Sequence, residues 1–131
     1  TVLVTFVRVW DSIREDDRGI LLEHVVLDCL RAAVDEGNLL YWRDKSGREV
    51  DFIIRQARGQ ADAIECKINP DGFEPANLRV FRSFYPEGRN IVISPHVQAA
   101  FKRRYGNLMV EFTPLRHILE TPIEKQIPGL G

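Results

Sequence analysis

Acidic and basic side chains interrupt two neighbouring apolar segments of this chain. Asp51 lies within residues 50–54, and Glu65 and Lys67 lie near the end of residues 61–67. Placing charged groups inside strands costs free energy unless an opposite charge compensates them. A divalent metal ion compensates carboxylates and also activates water for attack on a phosphodiester. These residues therefore predict metal-dependent hydrolysis of a phosphodiester bond.

The two segments are predicted to form an antiparallel hairpin that turns at Arg58. In that register Asp51 lies opposite Glu65, and Glu49 lies opposite Lys67. Side chains paired across an antiparallel ladder are roughly 5 Å apart, so two carboxylates there share a proton or bind a cation. Glu65 and Lys67 share a face because side chains alternate along a strand. We therefore expect the three groups to converge on one patch.

A helix predicted over residues 19–36 contributes a further carboxylate. Its apolar positions recur at the three- and four-residue spacing of one helical stripe, and Glu23 falls on that stripe. The stripe comprises Ile20, Glu23, Leu27, Leu30 and Val34. Because the stripe is expected to pack against the sheet, Glu23 is expected to approach Asp51 and Glu65. An unpaired carboxylate there would be protonated or destabilising, so the cluster favours a hard cation.

Mg²⁺ suits such a cluster because it prefers oxygen ligands and retains bound water. Mn²⁺ is an alternative metal. Asp51 and Glu65 are predicted to bind the metal directly, and the backbone carbonyl of Cys66 is a further candidate ligand. Glu23 would bind a second metal ion or hold a metal-bound water. Lys67 would orient the attacking water or stabilise the charge that grows on the phosphate.

The chain shows a succession of strand and helix patterns. Their predicted order is α-β-β-β-α-β-α-β, which describes a mixed sheet flanked by helices and therefore an α/β domain. The predicted bounds are helix 19–36, strands 39–43, 49–55 and 61–67, helix 75–85, strand 90–94, helix 95–105 and strand 108–112. Ser94 and Pro95 predict the start of the third helix, as an N-cap followed by proline. Thr113 and Pro114 predict a short final helix.

The composition is that of one globular domain. A length of 131 residues with 44% hydrophobic residues fits a single core. The formal net charge of −1 gives no overall attraction to nucleic acid, so any binding face must be local. Cys29 and Cys66 lie among apolar residues and are expected to be reduced. No segment is apolar enough to span a bilayer and no signal peptide is visible, so a cytoplasmic location without membrane attachment is expected.

Residues 11–120 are predicted to form the single domain. Residues 1–10 are apolar and β-prone and have no assigned role, and residues 121–131 are predicted to be a flexible tail. The chain begins at Thr1 and is expected to be a segment of a longer protein. It contains no glycine-rich phosphate loop, so any ATPase activity is expected to lie outside it.

The spacing of the charged residues resembles the PD-(D/E)xK nuclease superfamily. Asp51 is followed after thirteen residues by Glu65-x-Lys67 on the next strand. The wider pattern is similar to an uncharacterised nuclease-like domain found C-terminal to AAA+ ATPase modules in prokaryotes. The segments that carry this resemblance are Gly19-x-x-x-Glu23, Tyr41-Trp42-Arg43, Glu49-Val50-Asp51-Phe52, Ile64-Glu65-Cys66-Lys67 and residues 110–119.

The resemblance covers residues 19–120 and implies a restriction-endonuclease-like core. It implies that Asp51, Glu65 and Lys67 form the active site, and that Glu23 is the additional acidic residue of many members. Val50 stands where the motif has proline. The helix after Lys67 offers no glutamine of the kind that some nucleases carry there, which leaves the type of substrate open.

Basic and aromatic residues could form a nucleic-acid surface. The basic candidates for phosphate contacts are Arg79, Arg82, Lys102, Arg103 and Arg104. For each residue alone, a solvated helix face is the simpler interpretation. Tyr41 and Trp42 could stack on bases, although packing in the core is the simpler role for them.

Three hypotheses follow from these observations. The first is a Mg²⁺-dependent nuclease domain that acts on DNA and belongs to a larger protein with an N-terminal ATPase domain, with a homodimer as a further option. The second is a non-catalytic module of that ATPase that binds nucleic acid or protein. The third is a hydrolase that acts on RNA or only on ends. The presence of Lys67 favours catalysis, since a binding module has no need of it.

Overall fold

A six-stranded mixed sheet carries helices on both of its faces. The computed structural model describes residues 13–120, so the predictions for residues 1–10 and 121–131 lie outside the described residues. In chain order the elements are α1 (Glu15–Ala33), β1 (Leu39–Arg43), β2 (Glu49–Arg55), β3 (Ala61–Cys66), α2 (Ala76–Phe84), β4 (Asn90–Ser94), β5 (Phe101–Tyr105), β6 (Leu108–Pro114) and α3 (Leu115–Glu120). The predicted α/β class is confirmed.

The strand order is β1-β2-β3-β4-β6-β5. The first three strands and the β5–β6 pair are antiparallel, whereas β4 runs parallel to both β3 and β6. One core layer packs α1 and α3 against one face of the sheet, and a second layer packs α2 against the other face. The strands β1 and β5 are the two edges of the sheet.

The β2–β3 hairpin has the predicted register. Arg55 pairs with Ala61, and Phe52 pairs with Ile64. The turn runs through Arg58, whose φ of 62° lies in the left-handed region. Few residues other than glycine adopt that conformation, which marks the turn as tightly constrained. The hairpin therefore brings the segment around Asp51 alongside the end of β3.

The helix predicted over residues 95–105 is wrong, because its second half is the edge strand β5. Ser94 does not cap a helix; its Oγ accepts a hydrogen bond from the His96 N–H in a turn. A turn with Gly106 at φ 63° then joins β5 to β6. Phe101 stacks on Phe112 of β6 with ring centroids 4.7 Å apart. This cross-strand packing, which the local sequence does not reveal, determines that the segment is a strand.

The predicted apolar stripe of α1 is confirmed at Leu30 and Val34, which are buried, and is wrong at Ile20 and Glu23. The side chains that α1 buries are Leu22, Val25, Val26 and Leu30. Ile20 is 57% exposed, and Glu23 is exposed as well. Two overlapping stripes of apolar residues exist in this helix. The stripe that is purely aliphatic packs against the sheet, because its burial leaves no charged group without a partner. Glu23 consequently lies at the edge of the packed face.

Candidate active site

A β-bulge occurs in β2 at Asp51. Tyr41 of β1 alone lies opposite both Asp51 and Phe52, because β2 has one more residue than β1 between two regular pairs. A bulge bends the strand and redirects the side chains next to it. Val50 packs in the α2 layer, whereas Phe52 packs against the α1 layer. Asp51 therefore lies at the point where the alternation of faces along β2 changes.

The Asp51 carboxylate bridges β2 and β3 where their ladder ends. Beyond the Phe52–Ile64 pair, Asp51 Oδ2 accepts a hydrogen bond from the backbone N–H of Cys66, with an N···O distance of 2.8 Å. This bond fixes the carboxylate beside the end of β3, next to Glu65. Burial raises the pKa of Asp51, although the Cys66 hydrogen bond and the nearby Lys67 act to lower it.

Glu65 is a buried residue whose carboxylate forms no hydrogen bond and no ion pair with a described residue. Its exposed fraction is 8%. The pKa of Glu65 is raised to about 7, mainly by burial and also by the negative charges of Asp51 and Glu49. The positive charge of Lys67 lowers this pKa in part. A buried carboxylate of this kind is a common feature of sites that bind a cation or transfer a proton.

Glu23 approaches the same site from the edge of α1. Partial burial is the largest cause that raises the pKa of Glu23, and the negative charges of the nearby Asp51 and Glu49 raise it further. Glu49 is a carboxylate that the predicted site omitted, since the sequence suggested a simple pair with Lys67. Asn77 of α2 donates a hydrogen bond to the backbone carbonyl of Glu49 and so attaches α2 to the start of β2.

The acidic residues line two small cavities. Glu23, Glu49 and Asp51 line a cavity of about 200 Å³. Glu65 and Lys67 line another of about 170 Å³. In the described part of the chain, no three His, Cys, Asp or Glu side chains are grouped as a metal site requires. The expected convergence is therefore partial: the groups influence one another electrostatically, but their side chains do not surround one point.

The donor chemistry nevertheless fits a hard divalent cation. The carboxyl groups of Glu23, Asp51 and Glu65 all have raised pKa values, and burial together with the charges of Asp51 and Glu49 raises the pKa of Glu65. Glu65 offers a buried carboxylate that no described residue pairs with. Carboxylate oxygens are the ligands that Mg²⁺ prefers. A cation held among them would offset the burial, and after it the mutual repulsion, that raises these pKa values.

One of the basic residues predicted to contact DNA is a structural residue. Arg82 is buried, with an exposed fraction of 8%. Its guanidinium donates five hydrogen bonds, four of them to backbone carbonyls. It is therefore not available to a phosphate, and its assignment to a nucleic-acid surface is wrong.

The other basic candidates are exposed on or beside the edge strand β5. Arg79 of α2 donates a hydrogen bond to the carbonyl of Tyr105 at 2.9 Å. Lys102 pairs across the strands with Glu111, and the guanidinium of Arg103 lies 5.4 Å from the centroid of the Phe101 ring. Arg104 is exposed as well. Their contact with phosphates stays a prediction.

The sequence matches a known family over most of its length. A family model described as "Domain of unknown function (DUF4143)" matches residues 18–117, which run from within α1 to within α3 and include all of the predicted active-site residues. The chain belongs to the DUF4143 family. A search of curated proteins finds no match to this DUF4143 domain.

A solved structure shares the fold of this DUF4143 domain. It is described as the refined half-complex from the tetradecameric assembly of Thermococcus gammatolerans McrB AAA+ hexamers with bound McrC. The TM-score is 0.52 with 13% sequence identity, over 73% of the present chain and 27% of that chain. The DUF4143 domain thus spans about a quarter of that chain. Among residues 13–120, no helix has the length and apolarity needed to cross a membrane.

The raised pKa of Glu65 predicts how the stability of this domain depends on pH. The folded pKa of about 7 exceeds the ordinary value of 4.5, so the folded state binds the proton more tightly than the unfolded state. The contribution of Glu65 to stability should therefore fall as pH rises from about 4.5 to about 7. Glu65→Gln should be up to about 3 kcal/mol more stable than wild type at pH 8, and nearly equal to it at pH 4.5. Urea unfolding without metal ions measures this difference.

The control for this prediction is Glu74→Gln. Glu74 is an exposed glutamate on the rim of the same cavity as Glu65, and its substitution should change stability by less than about 0.5 kcal/mol at either pH. A Glu65→Gln gain that is the same at both pH values would show that the charge of Glu65 is not the cause.

Proposed function

We propose that this DUF4143 domain is a divalent-metal-dependent nuclease that hydrolyses DNA phosphodiesters. The observation that carries the proposal is the buried, unpaired carboxylate of Glu65 beside Asp51 and Lys67. These are the residues that the resemblance to PD-(D/E)xK nucleases implies for the active site. A structural carboxylate at this depth would be expected to have a partner, since an unpaired buried charge destabilises the fold.

Mg²⁺ or Mn²⁺ would be held by Asp51 and Glu65, with Glu23 and the backbone carbonyl of Cys66 as further ligands. The metal would supply the activation of water and the neutralisation of phosphate charge. The Cys66 N–H orients the Asp51 carboxylate, as its hydrogen bond of 2.8 Å indicates. Lys67 forms no ion pair with a described residue, so its ammonium is available to the attacking water or the phosphate.

The phosphate backbone of DNA would contact the edge strand β5. Lys102, Arg103 and Arg104 are consecutive and exposed there, and Arg79 lies beside them. Contacts of this kind fix the position of the duplex without reading its sequence. Since the whole chain has a net charge of −1, binding should depend on this local surface and weaken as salt rises.

We also propose that the domain works as part of a larger cytoplasmic ATPase. The similar fold in an assembly of AAA+ hexamers supports this partner, as does the resemblance of the sequence to domains that follow ATPase modules. The ATPase module would lie outside the present chain, which has no phosphate-binding loop. In such a protein, ATP hydrolysis would control the access of DNA to the site.

Cleavage of supercoiled plasmid tests the nuclease activity. We expect wild type to nick plasmid with Mg²⁺ or Mn²⁺ and not with EDTA, and Asp51→Asn to cut with neither metal. Asp28→Asn is the matched control, because Asp28 is an exposed aspartate on α1. Equal nicking by wild type and Asp51→Asn would contradict the assignment of the active site to Asp51 and its neighbours.

A non-catalytic interaction module is the second candidate function. The observation in its favour is the division of the acidic residues between two cavities, without a metal-binding group of side chains among residues 13–120. Under this alternative, neither this chain nor the ATPase that contains it would cut DNA, yet both would bind DNA or protein. The plasmid assay, carried out on this chain and on the ATPase that contains it, distinguishes the nuclease from the interaction module.

A further inference from the structure

Tyr41 is an aromatic side chain that the fold leaves open to solvent. Its exposed fraction is 77%, the largest among the exposed large hydrophobic residues of the described chain. It lies on the edge strand β1, where it alone faces the bulge that contains Asp51. Its neighbour Trp42 is partly buried and packs edge-on against Phe81 of α2. Trp42 is thus a core residue, whereas Tyr41 has no packing role that would explain its size.

Tyr41 borders the acidic cavity and two larger, mainly apolar cavities. The acidic cavity contains Asp51 and Glu23. A cavity of about 410 Å³ lies on the α2 side with Arg55 among its lining residues, and one of about 530 Å³ lies on the α1 side with Arg31. The Tyr41 ring therefore lies between the carboxylates of the acidic cavity and two apolar cavities, each of which has an arginine among its lining residues. A nucleotide has a matching division into anionic phosphate and flat, apolar base.

We propose that Tyr41 stacks on an unpaired nucleobase next to the phosphodiester that is cut, so that the substrate is a single strand or a frayed end. This inference rests on the proposed nuclease function and names its class of substrate. Inside a duplex the faces of paired bases are covered by their neighbours, so away from the duplex ends an aromatic ring can stack only on a base that has left the duplex. Arg55 lines the α2-side cavity and would meet a flanking phosphate, whereas Arg31 shares the α1-side cavity with the acidic Glu36.

Binding of short oligonucleotides tests the proposal without requiring cleavage. The probes are fluorescent oligothymidine, an abasic strand of the same length, and a blunt duplex, all bound in EDTA by Asp51→Asn protein. Adding Tyr41→Ala should weaken binding of oligothymidine at least about fivefold, the low end of losses when an aromatic stacking partner is removed. Binding of the abasic strand and of the duplex should not change. Tyr41→Phe should bind as well as Tyr41, because stacking does not need the hydroxyl group.

Phe84→Ala is the control, since Phe84 is an aromatic residue that is 66% exposed on α2. It should leave all three affinities unchanged. The inference is overturned if Tyr41→Ala binds oligothymidine as tightly as its parent, if it weakens the abasic strand equally, or if the parent binds no single strand. Thermal unfolding verifies that Tyr41→Ala remains folded.

The two proposals can fail separately. Plasmid nicking that depends on Asp51, together with unchanged binding by Tyr41→Ala, would leave the nuclease and overturn the stacking. Loss of oligothymidine binding in Tyr41→Ala without any metal-dependent cleavage would support the base contact and overturn the nuclease.

Discussion

Lys67→Ala is expected to slow plasmid nicking at least about a hundredfold, while the concentration of Mg²⁺ that gives half of the maximal rate stays unchanged. The loss follows because a positioned cation that stabilises developing charge contributes about a hundredfold or more. The metal affinity should stay because an ammonium group has no lone pair to offer a metal. Rates measured over a range of Mg²⁺ concentrations separate the two effects.

Asp51→Asn provides the contrast, because it should raise the Mg²⁺ requirement as well as lower the rate. Lys67→Arg should not restore the rate of Lys67→Ala, since a planar guanidinium cannot replace a compact ammonium at a fixed point. Lys45→Ala, in the exposed turn between β1 and β2, is the neutral control. If excess Mg²⁺ restored the rate of Lys67→Ala, Lys67 would organise the metal site and would not act in the reaction.

The parts of the fold that depend on local signals were predictable from the sequence. β1, β2 and β4 have the predicted bounds, because alternating or continuous apolar residues end at clear turn residues. Asp44 illustrates such a signal. Its carboxylate accepts hydrogen bonds from the N–H groups of Ser46 and Arg48 and closes the β1–β2 turn. The hairpin register around Arg58 followed for the same reason, since the turn fixes which residues face each other.

The remaining errors concern features that distant contacts determine. β5 is a strand because Phe101 stacks on Phe112 of the neighbouring strand. The residues next to Phe101 in sequence give no indication of that contact. The face of α1 was assigned to the stripe that contains Glu23, although packing favours the purely aliphatic stripe. Both errors arose where two patterns overlap and only tertiary packing selects one.

The bulge at Asp51 explains why the active-site prediction was only partly matched. The predicted facing of Asp51 and Glu65 assumed a regular strand, and the β2–β3 pairs do follow that register up to Phe52. The extra residue arises from pairing with β1, so the β2–β3 hairpin sequence alone does not contain it. Asp51 lines one cavity with Glu23, and Glu65 lines another with Lys67, although the Asp51 carboxylate also accepts a hydrogen bond at the end of β3. A metal ion that bound both acids would draw these two cavities together.

Arg82→Met is expected to destabilise the domain by about 3 to 5 kcal/mol, because each buried acceptor left without a donor costs about 1 to 3 kcal/mol. The Arg82 guanidinium donates to the side chain of Asn90 and to the carbonyl groups of residues 61, 85, 87 and 89. Methionine fills part of the volume but donates nothing, so these buried acceptors would lose their donors. The free energy of unfolding, from urea titration, measures the loss.

Arg79→Met is the matched control on the same helix. Arg79 is exposed and donates to the Tyr105 carbonyl and, weakly, to Asn107, so its loss should cost less than about 1 kcal/mol. Arg82→Lys should recover little of the stability, since a compact ammonium with three N–H groups cannot reach the five acceptors that the planar guanidinium serves. Equal destabilisation by Arg79→Met and Arg82→Met would contradict the structural role of Arg82. If Arg82→Met lost DNA affinity at unchanged stability, the original assignment of Arg82 to the nucleic-acid surface would be supported.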